Sequence, residues 1–367
     1  MKITAAVTEE KSGPFVLQEL ELGELAADEV LVEVAAAGIC HTDLIVRDQW
    51  LPTPLPAVLG HEGAGVVQAV GSAVTGVAAG DRVGMSFNSC GVCPTCLRAH
   101  GTYCHDFFGR NFAAARPDGS SVLSRGGELV HGHFFGQSSF ATHAVATARN
   151  VVKLPEWVPF GVAAPFGCGI QTGAGAILNS LRPPAGSSLV VFGTGAVGLS
   201  AIMAGAIVGC SPIIGVDVKP ARLELARELG ATHTIDASSG DVLAEIAKLT
   251  GTGADFTVET SGVTTVLRQA IDCLTPMGVC GVIGAPPGGA EVSIDVNMFF
   301  ALGRTLRGIV EGDSIPEVFL PQLFELWRAG RFPVDRLMVE FDFDKINEAA
   351  HEAESGAVIK PVLRMGG

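Results

Sequence analysis

The sequence predicts an α/β chain: a mostly β N-terminal part, then a doubly wound parallel sheet with helices on its faces. Three observations predict it. Before Pro165 the chain is β-branched and punctuated by glycine. After Pro165 strand-like and helix-like stretches alternate. At the first alternation a Gly-x-Gly-x-x-Gly stands where a strand turns into a helix.

Taken in order, Val30 to Gly38 (VLVEVAAAG) reads as a strand after the acidic turn Ala27-Asp28-Glu29. Val58 to Gly71 and Gly80 to Met85 continue the irregular β pattern. The Gly- and Ser-rich stretch from Asp118 to Gly127 reads as a surface loop. Ser187 to Gly209 is a strand, a glycine turn and a helix. Pro212 to Ala231 is a strand ending in an acid, then an amphipathic helix. ADFTVETSG and VCGVIGAP supply further strands, and FLPQLFELWRAG and KINEAAHEAESG read as helices. No fixed-period repeat is present.

The chain has 367 residues, 48% of them hydrophobic and 17% charged, which excludes a mainly disordered protein. A net charge of −14 argues against non-specific binding to nucleic acid or to anionic membranes, since both need Lys and Arg. The N-terminus lacks the basic-then-apolar pattern of a secretory signal, and apolar stretches are broken well short of a membrane span. The expectation is a cytoplasmic globular protein. Nine cysteines in such a compartment argue against a disulfide framework.

Four of the nine are close together. Cys90, Cys93, Cys96 and Cys104 form C-x2-C-x2-C-x7-C, with Gly91, Pro94 and Gly101 supplying tight turns. Four converging thiolates suit a tetrahedral zinc ion and leave no open coordination position, so the site would be structural. Iron–sulfur motifs share the opening spacing but usually continue C-x3-C-P, and idle core thiols are the remaining reading.

Gly193, Thr194, Gly195, Ala196, Val197 and Gly198 are the Gly-x-Gly-x-x-Gly, following Val-Val-Phe. The first glycine permits the turn, the second lets a pyrophosphate approach the backbone, and the third lets helix and strand pack. Asp217 ends the next strand, where its carboxylate can accept from adenosine ribose hydroxyls and repel a ribose phosphate. NAD is therefore favoured over NADP, a preference that Lys219 and Arg222 soften. A glycine turn with no ligand is the alternative.

Cys40 in GICHTD, His61 in GHEGAG and Cys168 in PFGCG could make a second, three-ligand zinc shell with one open position. Spacing alone does not decide this, because a lone Cys or His is commonly a packed core residue.

GICHTD, GHEGAGVVQAVG, GDRV, the four-cysteine lobe, PFGCG and GTGAVG, in that order over nearly the whole chain, resemble the zinc-dependent medium-chain alcohol dehydrogenases. GICHTDLIVRDQ and GMSFNSCGVCPTC are similar to bacterial benzyl and other aryl-alcohol members. The resemblance implies a GroES-like catalytic domain over 1–169, a Rossmann NAD domain over 170–309 and a return to the catalytic domain over 310–367, with the active site in the interdomain cleft. It implies Cys40, His61 and Cys168 as ligands of a catalytic zinc, Glu62 as an acid behind the metal, and Asp43 as the acid that fixes the His61 tautomer. It implies Thr42 as the hydroxyl that bonds the alcohol, and His41 and Lys360 as cations facing the pyrophosphate. Ile283 is implied at the cofactor. Cys210, Cys273 and Cys280 match no site and read as small core residues.

The implied reaction is reversible oxidation of a primary alcohol to its aldehyde with hydride transfer to NAD. One family element is missing: the histidine three residues after the hydroxyl-bearing one is here Ile45, which cannot titrate. His41 or water would carry the proton instead, or His41 only neutralises pyrophosphate. Phe134 and Phe135 match positions lining the alcohol pocket, with Trp50 and Phe87 near by loop proximity and Val310 implied there too. Aromatic walls suit an aromatic or allylic alcohol, although either Phe could be plain core. Glutathione-linked formaldehyde oxidation, a zinc-free quinone reductase and a non-catalytic zinc- and NAD-binding protein are the competing readings. The resemblance implies a homodimer or homotetramer joined by sheet edges of the NAD domain.

Overall fold

The structure, a computed structural model, describes residues 1–366. The chain divides into two compact units. One comprises Met1–Gly169, Ile315–Glu325 and Val334–Gly367; the other comprises Ile170–Ser314 and Leu326–Pro333.

The first unit is built on two sheets. A seven-stranded sheet runs Val151–Lys153, Arg82–Met85, Glu62–Val70, Glu29–Gly38, Lys360–Arg364 and Met338–Asp342, with His143–Thr147 also paired to Glu29–Gly38. Glu29–Gly38 is its centre, and it is buried at seven of its ten positions. A five-stranded sheet runs Ala57–Val58, Lys2–Thr8, Phe15–Leu22, Leu123–Arg125 and Glu128–Val130. The last two strands correct the expectation of a loop from Asp118 to Gly127. Gly126 and Gly127, at φ 59° and 86°, make the two-residue left-handed turn that joins hairpin strands, so this glycine pair pairs strands instead of separating them. Helix Ile346–Ser355 buries Ile346, Ala349 and Ala350 against the core that includes Val7, Phe15 and Leu363.

The second unit is a six-stranded parallel sheet in the order His233–Asp236, Ile213–Asp217, Leu189–Phe192, Ala254–Glu259, Leu274–Val282, Thr305–Gly308. Numbered along the chain this is 3-2-1-4-5-6, the doubly wound order whose direction reverses beside the first strand. Helix Ala196–Val208 is apolar throughout, buries Gly198 to Gly205, and ends at Gly209 with φ 84°. Helix Pro220–Glu228 starts on a proline that needs no N–H partner there. Cys210, Cys273 and Cys280 are buried, and burial pushes their thiols up to about 11, 12 and 12, which suits inert packing. Among the described residues no single helix is long and apolar enough to cross a membrane.

Candidate metal and dinucleotide sites

Cys40 caps helix His41–Arg47, and its backbone N–H donates to Asp43 Oδ2 at 2.9 Å. Asp43 reaches a second loop with its other oxygen: Oδ1 accepts from Gly60 N at 3.1 Å and lies 2.8 Å from His61 Nδ1. One buried carboxylate thus ties the loop of Cys40 to the loop of His61. Cys168 ends the turn Ala164–Gly167, which is held on strand Arg82–Met85. There Ser86 Oγ donates to Gly167 O at 2.7 Å, and a Cβ on Gly167 would meet Met85 O at 2.2 Å. The result is that ligand atoms of Cys40, His61, Glu62 and Cys168 lie within 4.8 Å of one another.

The chemistry of this group fits zinc. His61 Nδ1–H donates to Asp43, which turns the Nε2 lone pair to the two thiols, and that Nε2 is buried with no hydrogen-bond partner. An orphaned ring nitrogen beside two thiols is costly unless it binds a soft cation. Hydrogen bonding with Cys168 and the charge of Lys360 hold the Cys40 thiol well below its usual range, against the effect of burial. Burial works to lower the His61 pKa, but the Asp43 carboxylate keeps it raised.

Glu62 is wholly buried, and burial raises its carboxyl to about 7 against the pull of Lys360. Lys360 Nζ donates to both Glu62 oxygens at 2.9 Å and to Ile39 O at 3.2 Å. Lys360, expected to face the pyrophosphate, is paired with Glu62. The side chain is 2% exposed, and a buried ammonium needs an internal counter-charge, which Glu62 supplies. Glu62 also accepts from Gly169 N at 3.2 Å, so it braces the backbone after Cys168. Cys40, His61 and Cys168, with Glu62 beside them, are the residues placed to hold a metal. Thr42 is half-buried with Oγ1 3.9 Å from Cys40 Sγ; His41 is exposed, and Ile45 is buried.

Two aromatic rings flank His61. Phe135 lies 4.5 Å from it, tilted, and Phe134 lies 5.7 Å from it, edge-on. Behind them stands Phe112, 5.1 Å from Phe135 and 6.0 Å from Phe134, a residue that sequence reasoning missed. Phe112 lines an apolar cavity of about 250 Å³ with Leu51, Pro52, Pro54 and Phe108. The FFGRNF run was its only signal in the sequence. Phe87 packs on Phe107 further out, and Trp50 is 55% exposed beyond the helix end.

The four-cysteine lobe also closes on one point, its sulfurs within 4.8 Å of one another. Gly91 at φ 75° and Pro94 at the start of helix Pro94–Leu97 shape it. Backbone N–H groups point at the sulfurs: Cys90 N to Cys104 Sγ at 3.2 Å, Cys93 N to Cys90 Sγ at 3.3 Å, Asp106 N to Cys104 Sγ at 3.4 Å. The Thr95 hydroxyl, with backbone donors, lowers Cys93 to about 5, whereas burial pushes Cys104 to about 12. Four thiols so placed fit a closed tetrahedral zinc shell.

In the second unit Gly193 has φ 87°, and a Cβ there would meet Thr260 Oγ1 at 2.6 Å. A Cβ on Gly198 would meet Gly193 O at 1.8 Å, so helix and turn pack backbone to backbone. A Cβ on Gly195 would meet nothing within 4 Å, which leaves open space at the helix N-terminus for an anion. Asp217 is more committed than expected. Its Oδ2 accepts from Thr194 N and Oγ1 at 2.7 and 2.9 Å, and its Oδ1 accepts from Val218 N and Lys219 N at 2.8 and 3.0 Å. It braces the glycine turn whether or not it also receives ribose hydroxyls. Arg222 carries a buried Nε without a hydrogen-bond partner. Ile283 follows strand Leu274–Val282, bonded to Glu259 O at 2.9 Å, and Val310 is 37% exposed after strand Thr305–Gly308.

Two family models match the chain: alcohol dehydrogenase GroES-like domain over 26–156 and zinc-binding dehydrogenase over 196–326. The chain is 45% identical to geraniol dehydrogenase of Castellaniella defragrans, over 98% of this chain and 96% of that protein. The chain belongs to the zinc-dependent medium-chain alcohol dehydrogenases. Among solved structures it is similar to benzyl alcohol dehydrogenase from Acinetobacter calcoaceticus, at 46% identity and TM-score 0.97 over 100% of both chains. An alcohol dehydrogenase zinc-binding domain protein from Burkholderia ambifaria matches at 50% identity and TM-score 0.98, again over 100% of both. Membership in this family of alcohol dehydrogenases makes the protein an oxidoreductase of small-molecule alcohols with zinc and a nicotinamide dinucleotide as cofactors.

Proposed function

We propose that this alcohol dehydrogenase interconverts a primary aromatic or allylic alcohol and its aldehyde, using NAD. The observation that carries the reading is the aromatic wall on His61: Phe135 and Phe134 against the ring, Phe112 behind them. A flat unsaturated substrate gains offset or edge-on ring contacts there that ethanol cannot make. The geraniol and benzyl alcohol dehydrogenases named above support the same class.

Cys40, His61 and Cys168 would hold the catalytic zinc, and Cys90, Cys93, Cys96 and Cys104 the structural one. When bound, the catalytic metal supplies Lewis acidity that lowers the pKa of the alcohol hydroxyl, and NAD supplies the hydride acceptor. The protein's own part is to orient and to move a proton. Thr42 Oγ1 receives the hydroxyl proton of the substrate. Ile45 offers no onward acceptor, so the proton leaves through water, with exposed His41 neutralising the pyrophosphate. Asp43 keeps His61 in one tautomer, and Lys360 holds Glu62 by both its oxygens. Phe134 and Phe135 keep water from the reacting carbon.

NAD is preferred because Asp217 repels a ribose phosphate. A homodimer or homotetramer is supported by the edge strand Thr305–Gly308, exposed at all four residues, and by Phe300, 70% exposed on the helix before it. Nine cysteines that form no disulfide among the described residues suit the reducing cytoplasm. The test is a panel of benzyl alcohol, geraniol and ethanol with NAD and with NADP, followed by absorbance of the reduced cofactor. The expected result is a kcat/KM for benzyl alcohol or geraniol well above that for ethanol; a preference for ethanol would overturn the substrate class, and a preference for NADP the cofactor.

A further inference from the structure

Strand Thr305–Gly308 forms one edge of the parallel sheet, beside Leu274–Val282. The chain leaves it at the carboxyl ends of the strands, the end where such sheets bind ligands. On the other side of Leu189–Phe192, Asp217 ends strand Ile213–Asp217. A dinucleotide with its adenosine ribose at Asp217 and its pyrophosphate at Gly195 therefore extends its nicotinamide half towards Leu274–Val282 and Thr305–Gly308. This placement rests on the NAD reading above.

At that end the backbone does something unusual. Glu311, Gly312 and Asp313 are three successive left-handed residues, at φ 49°, 64° and 49°. Glycine adopts this region freely and aspartate tolerates it, but glutamate rarely does, and three such residues in succession need surroundings that hold them. The forcing groups come from helix Gly169–Gly175 and the following turn Ala176–Leu181. Gln171 Nε2 and Thr172 Oγ1 each donate to Glu311 Oε2 at 3.3 Å. Ser314 Oγ donates to Gln171 Oε1 at 2.8 Å, so the one amide of Gln171 grips both ends of the turn. Asn179 Nδ2 donates to Gly312 O at 3.1 Å. Ser180 Oγ and Arg307 Nη2 donate to Asp313 Oδ2 at 2.8 and 2.7 Å. Backbone meets backbone as well, since a Cβ on Gly175 would lie 2.3 Å from Gly312 O. Glu311 is 7% exposed and Gln171 is fully buried.

We propose that Glu311 is a positioning residue for the nicotinamide half of the cofactor, acting through the backbone it locks. The Glu311–Gln171–Ser314 circuit holds Val310 to Ser314 as a preorganised wall at the end of the site remote from Asp217. Strain of this kind persists where the surrounding structure over-determines it, and it concentrates at ligand sites. Glu311 itself touches neither cofactor nor substrate in this role.

The test separates the two halves of the cofactor. NADH and ADP-ribose, which lacks nicotinamide, are titrated against the purified full chain and its Glu311→Ala, Glu311→Gln and Gln171→Met variants, by protein fluorescence and calorimetry. For Glu311→Ala the Kd of NADH is expected to rise about tenfold while that of ADP-ribose stays within twofold. Glu311→Gln, which keeps an acceptor oxygen, is expected to stay near wild type. Gln171→Met, which leaves the turn residues intact, is expected to give the same NADH-selective loss at about threefold. Equal weakening of both ligands, or a lowered Tm with NADH affinity unchanged, would overturn the proposal and make the turn a purely structural lock. If the wild-type chain bound neither ligand, the NAD reading would fail and this inference with it.

Discussion

Asp43 Oδ1 lies 2.8 Å from His61 Nδ1, and both side chains are completely buried. The same carboxylate accepts from Cys40 N and Gly60 N, so it sets a ring tautomer and the spacing of two ligand loops at once. In Asp43→Asn the amide can still reach the ring, but it no longer demands a proton on Nδ1. Zinc content measured after dialysis against a chelator, and kcat/KM, should both fall, the latter by about 10–100-fold. Far-UV circular dichroism should be unchanged. A variant with full zinc and full activity would remove Asp43 from the site's design.

Phe112 offers a cleaner probe of the substrate wall than Phe134 or Phe135. The latter two are buried core, and truncating either costs about 3–5 kcal/mol of stability. Phe112 is half-buried, on the rim of an apolar cavity. Phe112→Ala should lower kcat/KM for benzyl alcohol about fivefold to tenfold, the loss of roughly 1 kcal/mol of ring contact, and leave ethanol unaffected. Parallel losses for both alcohols would mean that the ring supports the fold alone.

Acid stability turns on a group away from either metal set. Glu29 accepts from Arg116 Nε and Nη2 and from Ala26 N, each at 2.7 Å, and sits 3.1 Å from His133 Nε2. Burial pushes its pKa up, but hydrogen bonds from His133 and Arg116 outweigh it and hold the carboxyl at about 2. The unfolded chain, at the ordinary value of 4.5, takes up the proton first. The stabilisation, up to about 3 kcal/mol, is therefore complete above the unfolded pKa and is lost as pH falls from there through about 2. Urea unfolding of wild type and Glu29→Gln should show a stability gap that is widest near neutral pH and shrinks below pH 4.5. A gap independent of pH would assign the effect to packing.

Much of this was legible in the sequence because some chemistries force residue types into fixed spacing. Four thiolates on one ion need turns between them, which Gly91 and Pro94 announce, and a pyrophosphate approaching backbone needs glycine at 195. Partnerships across long separations left no such trace. Lys360 sits in an apolar strand, which says only that it needs a counter-charge; the partner, Glu62, lies 298 positions away. Gly126-Gly127 looked like a loop because composition does not distinguish a glycine linker from a left-handed hairpin turn. The left-handed run at Glu311 was invisible for the converse reason, since acidic residues there give no sign of the glycine-like backbone that Gln171 and Ser180 enforce.

The parallel sheet of the second unit ends at one side on a strand that is exposed throughout. Thr305, Leu306, Arg307 and Gly308 are all exposed, and an edge strand of this length is a template on which another copy can pair. Leu306 is 40% exposed, while its backbone register is fixed on the inner side by Cys280. Replacing it with a charge therefore blocks edge-to-edge association at little cost to the sheet, because a lysine at position 306 can stay in water. Leu306→Lys should halve the mass seen by light scattering on a sizing column, from dimer to monomer or from tetramer to dimer, with circular dichroism unchanged. If this edge joins two copies, the charge must also cost binding that grows weaker still at low salt, where two facing lysines repel most strongly. A variant with the wild-type mass at both low and high salt would place the subunit contact elsewhere on the molecule.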